Sequence, residues 1–232
     1  MNKIIRKLLG KFNIAIALML AIVMAGGFGG ATYVLASGTS TFGQTINVGT
    51  LSTDIVDAAY SSVASPAVAM NAVTFSFAYQ TATGSFGSAT EQIYVSNSDA
   101  ADGGWTLAVA PSATTAFWDS AGTDFDFNDS TASAGDGADT DTLGGQMTVD
   151  PSVATLATST CASCVITNIT KGASTAYVEG ATNSVTLLTA AVASDDIGKW
   201  TLQGVSISQT IPAEQPAASD YTLNMVLTVT AT

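Results

Sequence analysis

The chain has 232 residues, of which 18 are acidic, 6 are basic and none is histidine, and its formal net charge is −12. Binding to nucleic acid depends on clusters of Lys and Arg that neutralise phosphates, so this composition argues against a nucleic-acid partner. The lack of histidine excludes Ser-His and Cys-His catalytic pairs, and two cysteines without histidine are too few for a zinc site.

The first 36 residues have the pattern of a secretory signal. Four basic residues within the first eleven positions precede an apolar stretch at 14–25, and Val-Leu-Ala at 34–36 is a small-residue cleavage pattern. An uncleaved membrane anchor is the alternative, although glycines after residue 25 interrupt the apolar run. Cleavage would leave residues 37–232 as a single domain, with two lysines against eighteen acids and a charge of about −16, which suits a soluble exported protein.

Two strands are predicted before residue 81. Residues 41–51 are expected to form a first strand near the edge of a sheet. Residues 73–80 alternate Val, Phe, Phe and Tyr with Thr, Ser, Ala and Gln, which predicts a core strand. Between them, residues 54–71 are rich in Ala and Ser and contain Pro66, so a loop or a short helix is expected there.

The next predicted strands frame the first of two Trp-Thr-Leu tripeptides. Residues 81–89 are rich in Gly, Ser and Thr and are expected to form a turn before a strand at 92–96. After a turn rich in Asp and Gly, residues 105–109 are predicted as a strand in which Trp105 and Leu107 point to the same face.

The most polar part of the chain is residues 115–142. Asp124, Asp126 and Asn128 occupy alternate positions there, as the first ligands of a calcium loop do, but the glycine and the bidentate glutamate of such a loop are missing. A solvated acidic loop after a strand that buries two phenylalanines is the favoured interpretation, and calcium is the alternative. No metal or other cofactor is therefore expected.

Cys161 and Cys164 are the two cysteines of the chain. In an exported protein a disulfide across this short Cys-Ala-Ser-Cys loop is expected, with free thiols as the alternative. A redox motif is disfavoured because no βαβ pattern surrounds it.

Residues 199–232 are predicted to form two antiparallel strands joined by a turn that contains Pro212 and Pro216. The apolar positions change phase at Gly204, so a bulge there is expected to keep the side chains on both sides of it pointing inward. The last strand, residues 221–230, alternates apolar and polar side chains more clearly than any other part of the chain.

Further short strands are predicted at 147–149 and 165–169, and residues 185–192 are expected to form an apolar strand or a short helix. The total of about nine to eleven short strands separated by turn residues is typical of an all-β fold. The predicted architecture is an antiparallel β-sandwich with Greek-key-like connections, preceded by the apolar signal segment.

The three tryptophans carry different expectations. Trp105 with Leu107 and Trp200 with Leu202 occupy inward strand positions, where large apolar side chains usually fill the core. Trp118, just ahead of the acidic residues, is the better candidate for an exposed aromatic side chain, with a loop anchor as the alternative.

The order and spacing of several segments resemble the WxL domain of Gram-positive bacterial surface proteins. The similarity covers about residues 73–232, and its clearest segments are Gly103 to Val109, Gly198 to Leu202, Ile211 to Ala213 and Tyr221 to Val229. The resemblance implies an extracellular β-rich domain that attaches non-covalently to peptidoglycan, with Trp105, Leu107, Trp200 and Leu202 as ligand-binding residues. The chain departs from the family in its last strand, where Val226 stands in place of the second tryptophan. A weaker similarity, in the signal and residues 41–51, is to exported fibre subunits of the camelysin type.

The expected function is therefore that of a secreted, non-enzymatic protein at the cell surface or cell wall, with wall glycan or other surface proteins as partners. The alternative is a self-assembling fibre or surface-layer subunit that pairs edge strands, for which residues 41–51 are the candidate. Contact with a membrane is expected only through residues 1–36, if these are not removed.

Overall fold

The structure is a computed structural model that describes residues 7, 9–20, 43–45, 47, 49–99, 103–130, 144–192 and 196–232. The chain divides into two compact units, Met1–Ile46 and Asn47–Thr232. Of the predicted signal segment, the structure describes only residue 7 and residues 9–20, which are helical; the remainder lies outside the described residues. Within the described ranges no helix is both long and apolar enough to cross a membrane.

The twelve strands found among the described residues all belong to the second unit. In chain order these are β1 (Leu51–Val56), β2 (Gln80–Phe86), β3 (Gln92–Asn97), β4 (Trp105–Pro111), β5 (Met147–Asp150), β6 (Thr155–Thr158), β7 (Ile169–Lys171), β8 (Thr175–Ala176), β9 (Val185–Ala190), β10 (Gly198–Gln203), β11 (Val205–Ile211) and β12 (Met225–Ala231).

The strands form three four-stranded sheets with the orders β1-β3-β10-β6, β2-β11-β5-β8 and β12-β4-β9-β7. All the strand pairings are antiparallel. Strands that pair within a sheet are mostly far apart in the sequence, so each sheet is held together by long-range contacts. The predicted all-β, antiparallel class is confirmed.

One hydrophobic core contains inward-facing side chains from all three sheets. Strand β4 shows why this sequence forms a strand: its burial alternates strictly from Trp105 to Pro111, as expected where one face of a sheet packs on a core. Its partner β12 shows the same alternation, with Met225, Leu227 and Val229 turned inward. The predicted period of two in the last strand is confirmed.

The change of phase at Gly204 has a different structural basis from the predicted bulge. β10 ends at Gln203 and β11 begins at Val205, and these two strands belong to different sheets. Gly204 lies at the switch with a φ of 77°, a conformation that glycine adopts without strain. Apolar side chains on both sides of it are buried, as expected, but the chain changes sheet there instead of bulging within one ladder.

The predicted pairing of the two strands in residues 199–232 is wrong. β11 pairs with β2 and β5, whereas β12 pairs with β4. The last strand also begins at Met225, four residues later than the predicted start at residue 221. The periodicity identified the strands, but it carries no information about the partner of each one.

The predicted core strand at residues 73–80 is also wrong. Residues 71–79 form no strand, and Phe77 is 80% exposed. The strand of this region is β2, which begins at Gln80 and occupies most of the predicted turn at 81–89. β2 lies at the end of its sheet, and Met70 and Asn71 meet its free side through a bridge and two hydrogen bonds, but residues 73–79 form no ladder with it.

Two other predicted boundaries differ from the structure. Within predicted strand 41–51, residues 41, 42, 46 and 48 lie outside the described residues, and the observed strand β1 starts at Leu51 and enters the predicted loop at 54–71. Residues 165–168 form no strand, and β7 begins only at Ile169. The short strands β6 and β8 were not predicted, because their few Thr and Ala residues carry no hydrophobic period.

Candidate functional site

The two Trp-Thr-Leu tripeptides meet in the centre of the core. Trp105 in β4 and Trp200 in β10 come from different sheets, and their ring centroids are 5.3 Å apart with an interplanar angle of 45°. Both indoles are 0% exposed, as are Leu107 and Leu202. These four side chains therefore offer no surface to a ligand in this structure.

Each indole also has its N–H satisfied inside the protein. Trp105 Nε1 donates to the backbone oxygen of Asp196 at 3.1 Å, and Trp200 Nε1 donates to the backbone oxygen of Val165 at 2.9 Å. A buried indole N–H needs such a partner. The tryptophan pair is fixed by packing and by these two hydrogen bonds.

The Cys161–Cys164 loop lies against Trp200. The two cysteines form a disulfide, and the backbone N–H of Lys199 donates to Cys164 Sγ at 3.3 Å. A Cβ added at Gly198 would overlap Cys164 Sγ and would approach the indole of Trp200 to about 3.0 Å. The disulfide loop therefore helps to cover the buried indole.

The described surface has a separate cavity of about 420 Å³, which we call the aromatic cleft. This volume is in the range of ligand-binding pockets. No charged side chain of the described residues lines the cleft. Its lining consists of residues 68–76, Gln80, Ala82, Trp118, Phe125, Gln209, Ile211, Pro212, residues 215–219 and Tyr221.

One wall of the aromatic cleft is the irregular segment before β2. Met70 forms a bridge with Gly84, and Asn71 bonds Thr83 twice, through its backbone N–H to the backbone oxygen at 2.7 Å and through Nδ2 to the hydroxyl at 2.9 Å. Its far end is tied to the opposite wall, because the backbone N–H of Glu214 donates to the oxygen of Ser76 at 2.8 Å. The two walls of the cleft are therefore joined by one backbone hydrogen bond, and the first wall is also bonded to β2.

Three aromatic rings form a continuous row along the cleft. Trp118 stacks on Phe125, with centroids 6.0 Å apart and an angle of 15°, and Phe125 meets the edge of Tyr221 at 5.2 Å. Trp118 Nε1 donates to Gln209 Oε1 at 2.9 Å, which fixes the orientation of the half-buried indole. Trp118 was predicted as an exposed aromatic or a loop anchor, and its position combines partial exposure with this anchoring bond.

Among the described residues that line the cleft, Gln215 carries a buried side-chain oxygen without a hydrogen-bond partner. Its Nε2 donates to the backbone oxygen of Thr123 at 2.6 Å and to the Tyr221 hydroxyl oxygen at 2.7 Å. The residue is only 7% exposed, and its Oε1 is buried without a hydrogen-bond partner. A buried acceptor without a partner costs about 1–3 kcal/mol, so this oxygen is a strong site for a donor group.

A second cavity, of about 550 Å³, adjoins the cleft and shares Val68, Met70, Trp118 and Tyr221 with it. We call it the aliphatic cavity, because most of its lining comes from inward-facing aliphatic side chains. Its lining also includes two acidic residues, Asp54 and Glu91. The two cavities together form an incompletely filled region beneath residues 66–70.

An exposed apolar segment leads from the cleft to β2. The rings of Phe75 and Phe77 pack edge to face at 5.2 Å, and both are exposed, as are Val73 and Tyr79. No charged residue occurs between Asp57 and Glu91. In a chain with eighteen acidic residues, this is a long neutral stretch that carries apolar side chains on the surface.

The ionisable groups give no indication of acid–base chemistry in the cleft. Burial raises the pKa of Tyr177, whose hydroxyl donates to the backbone oxygen of Val109 at 2.8 Å. The backbone N–H of Ala121, followed by the Ser120 hydroxyl, lowers the pKa of the exposed Asp220. The described residues contain no group of three or more His, Cys, Asp or Glu side chains that could hold a metal; Asp136, Asp139 and Asp141 lie outside them.

Of the cleft residues, Trp118 was predicted from the sequence as a candidate exposed aromatic side chain, but none was predicted to bind a ligand. Gln215 lies in the predicted proline-containing turn between Pro212 and Pro216, and a glutamine in such a turn carries no signal of its own. Its unsatisfied oxygen depends on contacts with Thr123 and Tyr221, and Thr123 is 92 positions away.

Comparison of the chain with family models, with curated proteins and with solved structures returned no match. The similarity to the WxL domain therefore stays a prediction from the sequence, and the geometry of the aromatic cleft is the basis for a functional assignment.

Proposed function

We propose that this chain is an exported, non-enzymatic surface protein that associates non-covalently with cell-wall glycan. Its three sheets are arranged in this proposal as a β-sandwich with Greek-key-like connections, as in the WxL domains that the sequence resembles. Three features support export: the basic and apolar pattern of residues 1–36, the acidic composition of residues 37–232, and the Cys161–Cys164 disulfide.

The observation that carries this proposal is the composition of the aromatic cleft. A sugar ring presents an apolar face of C–H groups and a rim of hydroxyl groups, so it binds best where aromatic rings lie beside amide groups. Trp118, Phe75 and Tyr221 supply the rings, and Gln80 and Gln215 line the same cleft. The uncharged lining favours a neutral ligand of this kind over a phosphate or a metal ion.

The proposal differs from the implication of the WxL resemblance in the residues that bind. Trp105, Leu107, Trp200 and Leu202 are buried, so we assign them to the core and place the ligand at the aromatic cleft. Catalysis is not part of the proposal, since the chain has no histidine and none of the described carboxylates lines the cleft.

The test is sedimentation of the purified exported protein with isolated cell walls. We expect the wild type to sediment with the walls and Trp118→Ala to remain in the supernatant. Tyr60→Ala is the matched control, because Tyr60 is a partly exposed aromatic residue that lines neither cavity. Wild-type protein that stays in the supernatant would contradict wall association.

A second candidate function, self-assembly into fibres, is favoured by the exposed apolar segment. Val73, Phe75, Phe77 and Tyr79 alternate as in a strand and yet have no ladder in the described structure. β1, β2 and β12 each lie at the end of a sheet. Ser62 and Val63 already bond to β1, and Met70 and Asn71 to β2, so the edge of β12 is the candidate for an added strand. Residues 41–51, predicted earlier as the pairing strand, overlap the start of β1 at Leu51.

Electron microscopy of the same wall-free sample tests this alternative. Filaments in the wild type that disappear in Phe77→Ser would support self-assembly, because this change removes an exposed ring and should leave the fold intact. Single particles at all concentrations would eliminate it.

A further inference from the structure

We propose that Gln215 determines the ligand specificity of the aromatic cleft, and that its Oε1 accepts a hydrogen bond from a hydroxyl or acetamido N–H of an N-acetylated hexosamine residue. This inference rests on the proposed function, and it adds the contact atom and the class of sugar. Nothing in the sequence resemblance points to this residue.

Hydrogen bonds hold the side-chain amide of Gln215 in one orientation. Nε2 donates to two oxygens, of Thr123 and Tyr221, at 2.6 and 2.7 Å. The Tyr221 hydroxyl in turn donates to the backbone oxygen of Pro216 at 2.8 Å. A flip of the amide would place Oε1 against the backbone oxygen of Thr123, so the carbonyl end keeps its position and remains an acceptor.

Gln215 Oε1 is a buried acceptor without a hydrogen-bond partner, and the described lining of the cleft is uncharged. Gln209, which also lines the cleft, has both ends of its amide paired: Oε1 with Trp118, and Nε2 with the backbone oxygens of Asp126 and Thr210. Gln215 Oε1 has no such partner. A ligand that brings one donor to this oxygen completes the set, whereas a charged ligand finds no counter-charge.

The residues that follow Gln215 in the cleft wall are open to solvent. Gln215 is buried, but residues 216–219, which follow it and line the cleft, are all exposed. Because Oε1 is buried, a donor reaches it only if this exposed wall moves when the ligand binds. Trp118 and Phe75 line the same cleft, so a pyranose ring that donates to Gln215 has aromatic surface available for its C–H face.

N-acetylated hexosamines fit these requirements together. They are neutral, carry hydroxyl and amide N–H donors around one ring, and have an apolar face. Sites built to pair a buried polar group discriminate strongly against ligands that lack the matching donor, so a ligand without a donor at this position should bind much more weakly.

The test is calorimetric titration of the exported protein with the trimer of N-acetylglucosamine. We expect the wild type to bind and Gln215→Met to bind about tenfold more weakly or less, which corresponds to loss of one hydrogen bond. Gln92→Met is the matched control, because Gln92 is also buried and donates two bonds through Nε2, but lines neither cavity. Equal affinity of wild type and Gln215→Met would overturn the inference.

A measurement on the wild type keeps the proposal testable if Gln215→Met does not fold. In protein labelled with ¹⁵N, addition of the trimer should shift the side-chain amide resonance of Gln215 and leave that of Gln92 unchanged. Wild-type protein that sediments with walls but shows neither heat nor this shift would overturn the inference and leave the proposed function standing. Failure of both wall and trimer binding would overturn both.

Discussion

The Trp105–Trp200 pair and the Trp118 region use the same side chain for opposite purposes. The first two indoles come from two sheets, are fully buried and give their N–H groups to backbone oxygens. Trp118 is only half-buried, gives its N–H to a side chain and faces a cavity. The comparison teaches that a repeated, conspicuous motif can be a packing device, whereas an isolated tryptophan in an irregular segment marks the open site.

The largest expected loss of stability comes from truncating a tryptophan of the buried Trp105–Trp200 pair. Trp200→Ala should lower the free energy of unfolding by about 3–5 kcal/mol, because it leaves a cavity in a tightly packed core. Trp118→Ala should cost clearly less, because its indole is already partly exposed. Urea denaturation followed by circular dichroism measures both losses, and equal losses would remove the distinction between the two regions.

Removal of the disulfide tests whether the Cys161–Cys164 loop supports the buried indole of Trp200. Cys161→Ser with Cys164→Ser should destabilise by about 1–2 kcal/mol, since so short a loop constrains the unfolded chain only weakly. The near-ultraviolet circular dichroism of the buried indoles should change as the cover over Trp200 loosens. Wild-type protein treated with a reductant is the control, and an unchanged stability in both samples would show that the loop does not support the indole.

A smaller effect is expected from the hydrogen bond at the open side. Trp118→Phe keeps a ring against Phe125 but removes the donor to Gln209, and should cost about 1 kcal/mol. Trp105→Phe, in the closed region, should cost more because it also leaves a void beside Trp200. A larger loss for Trp118→Phe than for Trp105→Phe would reverse the proposed roles.

The smallest effect involves Asp220 at the rim of the open region. Its carboxylate accepts hydrogen bonds from Ala121 N–H and Ser120 Oγ, and its pKa is lowered in the folded state. A lowered pKa means that the stabilisation is present above the ordinary carboxyl pKa of about 4 and is lost as the pH falls through the folded-state value. Asp220→Ala should therefore be less stable than wild type near neutral pH, with the difference shrinking in acid. Thermal unfolding across this range measures it, and a gap that grows on acidification would contradict the cause.

Much of the sheet structure was predictable because it follows local periodicity. Strands β3 and β4 were predicted within a few residues, since alternation in these segments coincides with burial. Residues 185–192, for which a strand or a short helix was expected, contain β9. Residues 73–80 have equally good alternation and yet form no strand. The difference is the presence of a neighbouring ladder, which depends on the whole fold and not on the segment.

The site was less predictable than the fold for a related reason. Trp118 could be marked as a candidate exposed aromatic side chain from its residue type and its polar surroundings. Gln215 could not, because its role comes from what its two amide atoms do and do not meet: Thr123 and Tyr221 on one side, and nothing on the other. Such a pattern of satisfied and unsatisfied groups exists only once distant segments have come together.

The single glycine between β10 and β11 has a consequence for the accuracy of folding. Because Gly204 alone connects two ladders in different sheets, neither strand can slide along its neighbours without dragging the other. A one-residue slip would turn Trp200 outward in one sheet and Val205 outward in the next. A register error in either strand would therefore expose buried side chains in two sheets, so this junction favours the native alignment of both strands.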